Sequence, residues 1–168
     1  TFSVGEYLDG NERLLANWIH GTKVNGVIQS AAFDFNTRYA VRDATNYSNW
    51  TKLDHDGLAT DPTYARYAVT FVENHDTERR SASEQQDPIK RDTLAANAYI
   101  LAMPGTPCVF LKHWIDCKAD IKNMILLRNL TGINNQSAWK RNGSSVARYI
   151  FTTTGTKGRL HVAVGSSA

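Results

Sequence analysis

The sequence predicts an α/β fold: four parallel β/α units, half of an eight-fold β/α barrel, followed by part of an antiparallel β-sheet domain. Three observations carry the prediction. Short β-branched and aromatic runs alternate with helical patterns over residues 1–133. Two of those runs stop at carboxylates, Phe2-Ser-Val-Gly-Glu6 and Ala68–Val72 followed by Glu73-Asn-His-Asp76. A parallel α/β sheet places its ligands at the carboxyl ends of its strands. Beyond residue 134 the strand-like runs follow one another through Gly-containing turns, which is an antiparallel pattern. The boundary therefore falls near Ile133-Asn135, dividing residues 1–133 from 134–168.

Taken in order, the first strand reaches Glu6, and Asp9-Gly10-Asn11 supplies turn and cap residues. Glu12 to His20 reads as a helix, with Leu14, Leu15, Trp18 and Ile19 on one face. Gly26 to Phe33 reads as a strand region, and Asp34 caps a helix from about Phe35 to Asp43. Residues 44–67 are loop-like and carry Tyr47, Trp50 and Tyr64, which either stack on a ligand or pin the loop to its own domain. The strand ending at the Asp76 motif comes next, then a polar loop over 77–86.

Asp87-Pro88 has the form of a helix start, an N-cap followed by proline at the first helical position. Ile89, Thr93, Ala96 and Ile100 then recur at helical spacing until Pro104-Gly105. Thr106 to Leu111 reads as a short buried strand, and Asp116 to Leu130 as a helix closed by Gly132. In the tail, Ala138-Trp139, Val146 to Thr152 and Arg159 to Val164 are strands, with turns at Asn142-Gly143 and Thr154 to Gly158.

Bulk properties narrow the function. The 168 residues are 42% hydrophobic and 21% charged, enough for one domain with a core or part of a larger one. The net charge of +3 comes from scattered basic residues, which argues against a nucleic-acid partner. The apolar stretches are too short to span a bilayer, which argues against a membrane partner. Cys108 and Cys117 supply neither a disulfide framework nor a zinc site; a single bridge between them stays open, and Cys108 is expected to be buried. The chain opens inside a strand and closes just after one, so it is expected to be a piece of a longer polypeptide.

Glu6 and Asp76 end the first and third strands. Glycosidic cleavage needs a protonated carboxyl to serve the leaving oxygen and an ionised one to meet the positive charge on the sugar. Each residue also has a plainer reading. Glu6 can cap the following turn, His75 can be a satisfied core histidine, and an adjacent His-Asp pair can bind a metal. His20, His55, His113 and His161 lie without ligand spacing, so no metal site is expected. Asp34 between Phe33 and Phe35 is expected to cap a helix.

Three segments together are similar to the α-amylase family of retaining glycoside hydrolases. Phe2-Ser-Val-Gly-Glu-Tyr-Leu-Asp-Gly-Asn11 resembles the segment around the family's general acid. Phe71-Val-Glu-Asn-His-Asp-Thr77 resembles its later strand-end motif, and Tyr99 to Phe110 the segment feeding its last barrel strand. The resemblance implies the carboxyl-terminal half of a TIM barrel plus the start of the following β domain. It implies that Glu6 is the general acid/base, that Asp76 is the carboxylate that stabilises the transition state, and that His75 hydrogen-bonds the sugar.

It further implies a substrate of starch or malto-oligosaccharide, and a partner in the amino-terminal half of the barrel. No cofactor is implied in this segment; calcium belongs to a part of the parent outside it. Secretion is the weak implication for location. The family's nucleophilic aspartate, with an arginine two residues before it, has no counterpart here, so the isolated segment is expected to be inactive. Leu111-Lys112-His113-Trp114 stands where many relatives have a tyrosine, an aspartate and a histidine. Two other functions share these residues: a glucan-binding fragment without catalysis, and a related glucanotransferase or branching enzyme.

Overall fold

The computed structural model describes residues 2–55, 57–78 and 87–166. Four strands form one parallel sheet in the order β1-β2-β3-β4: Val4–Gly5, Ala31–Phe33, Ala68–Phe71 and Thr106–Cys108. Helices separate them, α1 (Glu12–Gly21), α2 (Phe35–Asn46) and α3 (Thr93–Ala102), and α4 (Leu111–Asp116) and α5 (Lys118–Thr131) follow β4. Three antiparallel strands complete the chain: β5 (Ala138–Ser144), β6 (Arg148–Thr154) and β7 (Arg159–Gly165). The expected order of parallel units and antiparallel tail is therefore the observed one.

Local chemistry sets the helix starts. The Asn11 side chain accepts from the Arg13 and Leu14 amides, and α1 then buries Leu15, Ala16 and Ile19 against the sheet. Full burial of Leu15 and Ile19 is worth about 1.5–3 kcal/mol each. Asp34 caps α2 as expected: its carboxylate accepts from the Thr37 amide, the Thr37 hydroxyl and the Ala59 amide. At the other end of the fold, Gly132 closes α5 at φ +68, the left-handed conformation that suits glycine.

Register assigns the faces. Gly5, Ala32 and Ala68 stand side by side, and Ala32 and Ala68 pack with α1. Side chains alternate along a strand, so Phe33, Val69 and Phe71 occupy the opposite face. Phe71 meets Phe33 and Phe35 edge-on, at 5.4 and 5.0 Å between ring centres. A second cluster joins α3 to the antiparallel sheet, where Tyr99 packs edge-on to Tyr149 and Phe151.

Several elements depart from expectation. Asp87-Pro88 does not start a helix; α3 begins at Thr93. The Asp87 carboxylate instead takes Arg38, at 2.7 Å, and Arg42, both from α2. Two guanidinium groups outbid a helix cap worth about 1 kcal/mol. The strand expected over Gly26 to Phe33 shortens to Ala31–Phe33, because Val24 and Val27 close a tight turn across Asn25 and Gly26, both at positive φ. Cys108 is exposed rather than buried, at the end of the outermost strand β4, and both cysteines are free.

Leu111–Asp116 forms an extra helix, supported by Lys112 and Asp116 at 2.7 Å. Asn142-Gly143 is not a turn. It lies within β5, where the pairing slips between Arg141 and Gly143 as a bulge. Trp50 is fully buried, and its Nε1 donates to the Ser166 hydroxyl, so it pins the loop and offers no platform for a ligand. Of the polar loop expected over 77–86, residues 79–86 lie outside the described residues.

Candidate active site

Glu6 follows β1 directly, and the Glu73-Asn-His-Asp76 run follows β3 after Val72. Both strands run parallel in one sheet, so both sets of residues emerge at the same end. One strand, β2, lies between them; at ~4.8 Å per strand, β1 and β3 are about 10 Å apart. Gly5 faces α1, where a Cβ would strike the Trp18 ring. Alternation therefore turns Glu6 to the other face, the side of Phe33 and Phe71. Glu6 is exposed there.

His75 and Asp76 sit on a turn that Asn74 organises. The Asp76 and Thr77 amides donate to Asn74 Oδ1 at 3.0 and 2.9 Å, and the Asn74 amide donates to Thr77 Oγ1 at 2.9 Å. The turn pushes both side chains outward, at 75% and 63% exposure, with His75 Nε2 3.3 Å from Asp76 Oδ2. His75 is thus not a satisfied core histidine. The structure joins His75 to Asp76, while Glu6 stands apart from them across β2.

Two further carboxylates, nearest the ends of β2 and β3, are occupied. Asp34 is fully buried as the α2 cap. Glu73 is buried and accepts from the Ile89 amide at 2.8 Å and from His113 Nε2 at 3.0 Å. Among the described residues, no group of three or more His, Cys, Asp or Glu side chains could hold a metal ion.

No family model matches the chain. It is 33% identical over 121 residues to "Probable alpha-amylase 2" of Arabidopsis thaliana, covering 70% of this chain and 28% of that protein. It is 40% identical over 73 residues to "Alpha-amylase type B isozyme" of Hordeum vulgare, covering 42% and 46%. Its fold matches the crystal structure of AmyP in complex with maltose, with a TM-score of 0.69 at 16% identity, over 99% of this chain and 45% of that one. The chain belongs to the α-amylase family. It spans less than half the length of each of these relatives.

Against this α-amylase background, Glu6, His75 and Asp76 are the exposed candidate residues of the two strand-end motifs. One arrangement escaped the sequence. His113, set aside there among scattered histidines, is buried between Glu73 and Asn97. The three are separated in sequence by 24 and 16 residues, and only the folding together of the β3 end, α3 and α4 unites them. No local pattern in the sequence tied His113 to Glu73 or Asn97.

Proposed function

We propose that the protein carrying this chain is a retaining α-1,4-glucan hydrolase, with Glu6 as general acid/base and Asp76 and His75 as the groups that grip the reacting sugar. The observation that carries this reading is the common sheet end of Glu6 and the exposed His75–Asp76 pair. The Glu6 carboxyl gives its proton to the glycosidic oxygen as the C1–O bond breaks. A carboxylate nucleophile takes C1 on the opposite face, and Glu6, now ionised, removes a proton from the water that releases the sugar. Asp76 offsets the positive charge that builds at C1 in both steps and accepts from sugar hydroxyls.

The nucleophile comes from outside this chain. Asp34 and Glu73, the carboxylates nearest the ends of β2 and β3, are buried and held by hydrogen bonds. Malto-oligosaccharide is the proposed substrate, supported by the alpha-amylase relatives and by the maltose bound in the AmyP structure. The test is reducing-sugar release from soluble starch by the full-length protein. Glu6→Gln should lower turnover by at least about a hundredfold while glucan binding persists. Undiminished turnover would sink the assignment.

A further inference from the structure

We propose that Glu73, His113 and Asn97 form a positioning chain that aims the His75–Asp76 turn at the substrate; the inference rests on the glycosidase reading above. Asn97 Nδ2 donates to the Thr93 carbonyl at 2.8 Å and faces His113 Nδ1 at 3.2 Å. A carbonyl only accepts, so the Asn97 amide presents its NH2 group to both, and Nδ1 is an acceptor. The imidazole proton is then on Nε2, which donates to Glu73 Oε2 at 3.0 Å. Glu73 Oε1 accepts from the Ile89 amide at 2.8 Å. The bonds from Asn97 through His113, and the bond from the Ile89 amide, all point toward Glu73, whose carboxylate accepts and never donates.

The chain joins four pieces of the fold: the end of β3, α3, α4 and the segment leading into α3. Its two ionisable side chains are 5% and 7% exposed. Both Glu73 carboxylate oxygens and both His113 ring nitrogens are bonded, while Asn97 Oδ1 is buried without a partner, so the network is filled at Glu73 and His113 and open only at its Asn97 end. Glu73 is bonded through the backbone to Asn74, the residue that braces the turn from inside. Asn74 holds the turn together, and Glu73 sets the angle at which it leaves the sheet. A displacement of about 1 Å at a reacting group costs on the order of 100-fold in rate. Glu73 and His113 are thus positioning residues: they touch no sugar and act through Asp76.

Bond direction supplies the test, made on the full-length protein with soluble starch. Glu73→Gln keeps the shape but sets an NH2 group against the His113 Nε2–H, or against the Ile89 amide. His113→Gln keeps an N–H toward Glu73 and an oxygen toward Asn97, so direction is preserved. We expect Glu73→Gln to lower kcat about 10- to 100-fold with KM within about threefold, and His113→Gln to retain most of kcat. Ile121→Ala, in the core on α5, controls for stability and should lower Tm without lowering kcat. If Glu73→Gln does not fold, His113→Leu, which removes the donor, replaces it with the same expectation. A kcat within threefold of the unsubstituted protein, or an equal loss in His113→Gln, overturns the inference alone. No sugar release by the unsubstituted protein overturns the glycosidase reading and this inference with it.

Discussion

The Trp18 indole lies so close across Gly5 that a Cβ at position 5 would strike the ring. Gly5 is the last residue of β1, and Glu6 is the next residue. Helix α1 thus presses directly on the backbone that carries the proposed acid. Gly5→Ala must push Trp18 outward or tip the strand end. In the full-length protein it should reduce kcat for starch at least about tenfold with little change in KM. Steady-state kinetics at several starch concentrations checks this, and an unchanged kcat would mean that Trp18 simply yields.

Asp76→Asn should lower kcat of the full-length protein by about 100-fold or more, because the amide no longer offsets charge at C1. The side chain is 63% exposed, so the substitution should leave Tm nearly unchanged. Paired calorimetry and reducing-sugar assays separate the two effects. A large fall in Tm would recast Asp76 as structural.

The 168-residue chain alone should release no reducing sugar from starch, because retention needs a nucleophile opposite the acid. Sugar release at the rate of the full-length protein would place the nucleophile within the chain.

Arg128 should matter more to stability than its position on α5 suggests. Its guanidinium is buried and donates to the carbonyls of Leu101, Met103 and Gly105 at 2.8, 2.6 and 2.7 Å. These are the orphan carbonyls where α3 ends and the chain turns into β4. Burial alone lowers its pKa to about 10, so it remains charged at neutral pH. Arg128→Met should cost about 2–4 kcal/mol by urea denaturation. Arg128→Lys should recover only part of that, since an ammonium cannot fork across three carbonyls.

Acid should weaken the fold through Asp87. Partial burial raises this carboxyl's pKa, but the hydrogen bonds and charges of Arg42 and Arg38 outweigh it and hold the pKa below the usual 3.8. A carboxyl whose pKa is depressed in the folded state contributes stability that is complete above its unfolded pKa. That contribution is lost as pH falls through the folded pKa. Tm should therefore decline below about pH 4, and Asp87→Asn should make the decline shallower while lowering Tm at pH 7. Equal slopes for the two proteins would remove Asp87 from the acid response.

Much of this fold could be read before any coordinates because local signals and tertiary packing agreed. The cap at Asn11, the apolar face of Leu15 and Ile19, and the stop at Gly132 each did what their residue types favour. Asp87-Pro88 failed for the opposite reason. It carries a good start signal, but Arg38 and Arg42, 49 and 45 residues earlier, claim the carboxylate. Local pattern cannot register such a competitor. Of the candidate site, the turn bearing His75 and Asp76 was legible as a compact motif. The His113 support was not, because its parts meet only after α3 and α4 dock on β3.

Tyr99 packs on Tyr149 and Phe151 from a helix that follows β3 and precedes β4. The seam between the parallel and antiparallel layers is therefore written into the parallel half's own helix, nearly forty residues before the tail's first strand. For protein engineers who recombine related enzymes, this sets where a crossover can fall. A graft that takes only residues 134–168 from another source would set foreign aromatics on Tyr99. One that exchanges residues 93–166 together would carry the Tyr99 contacts across intact, and would then need a host whose Trp50 and Asp54 still meet Ser166 and Arg141.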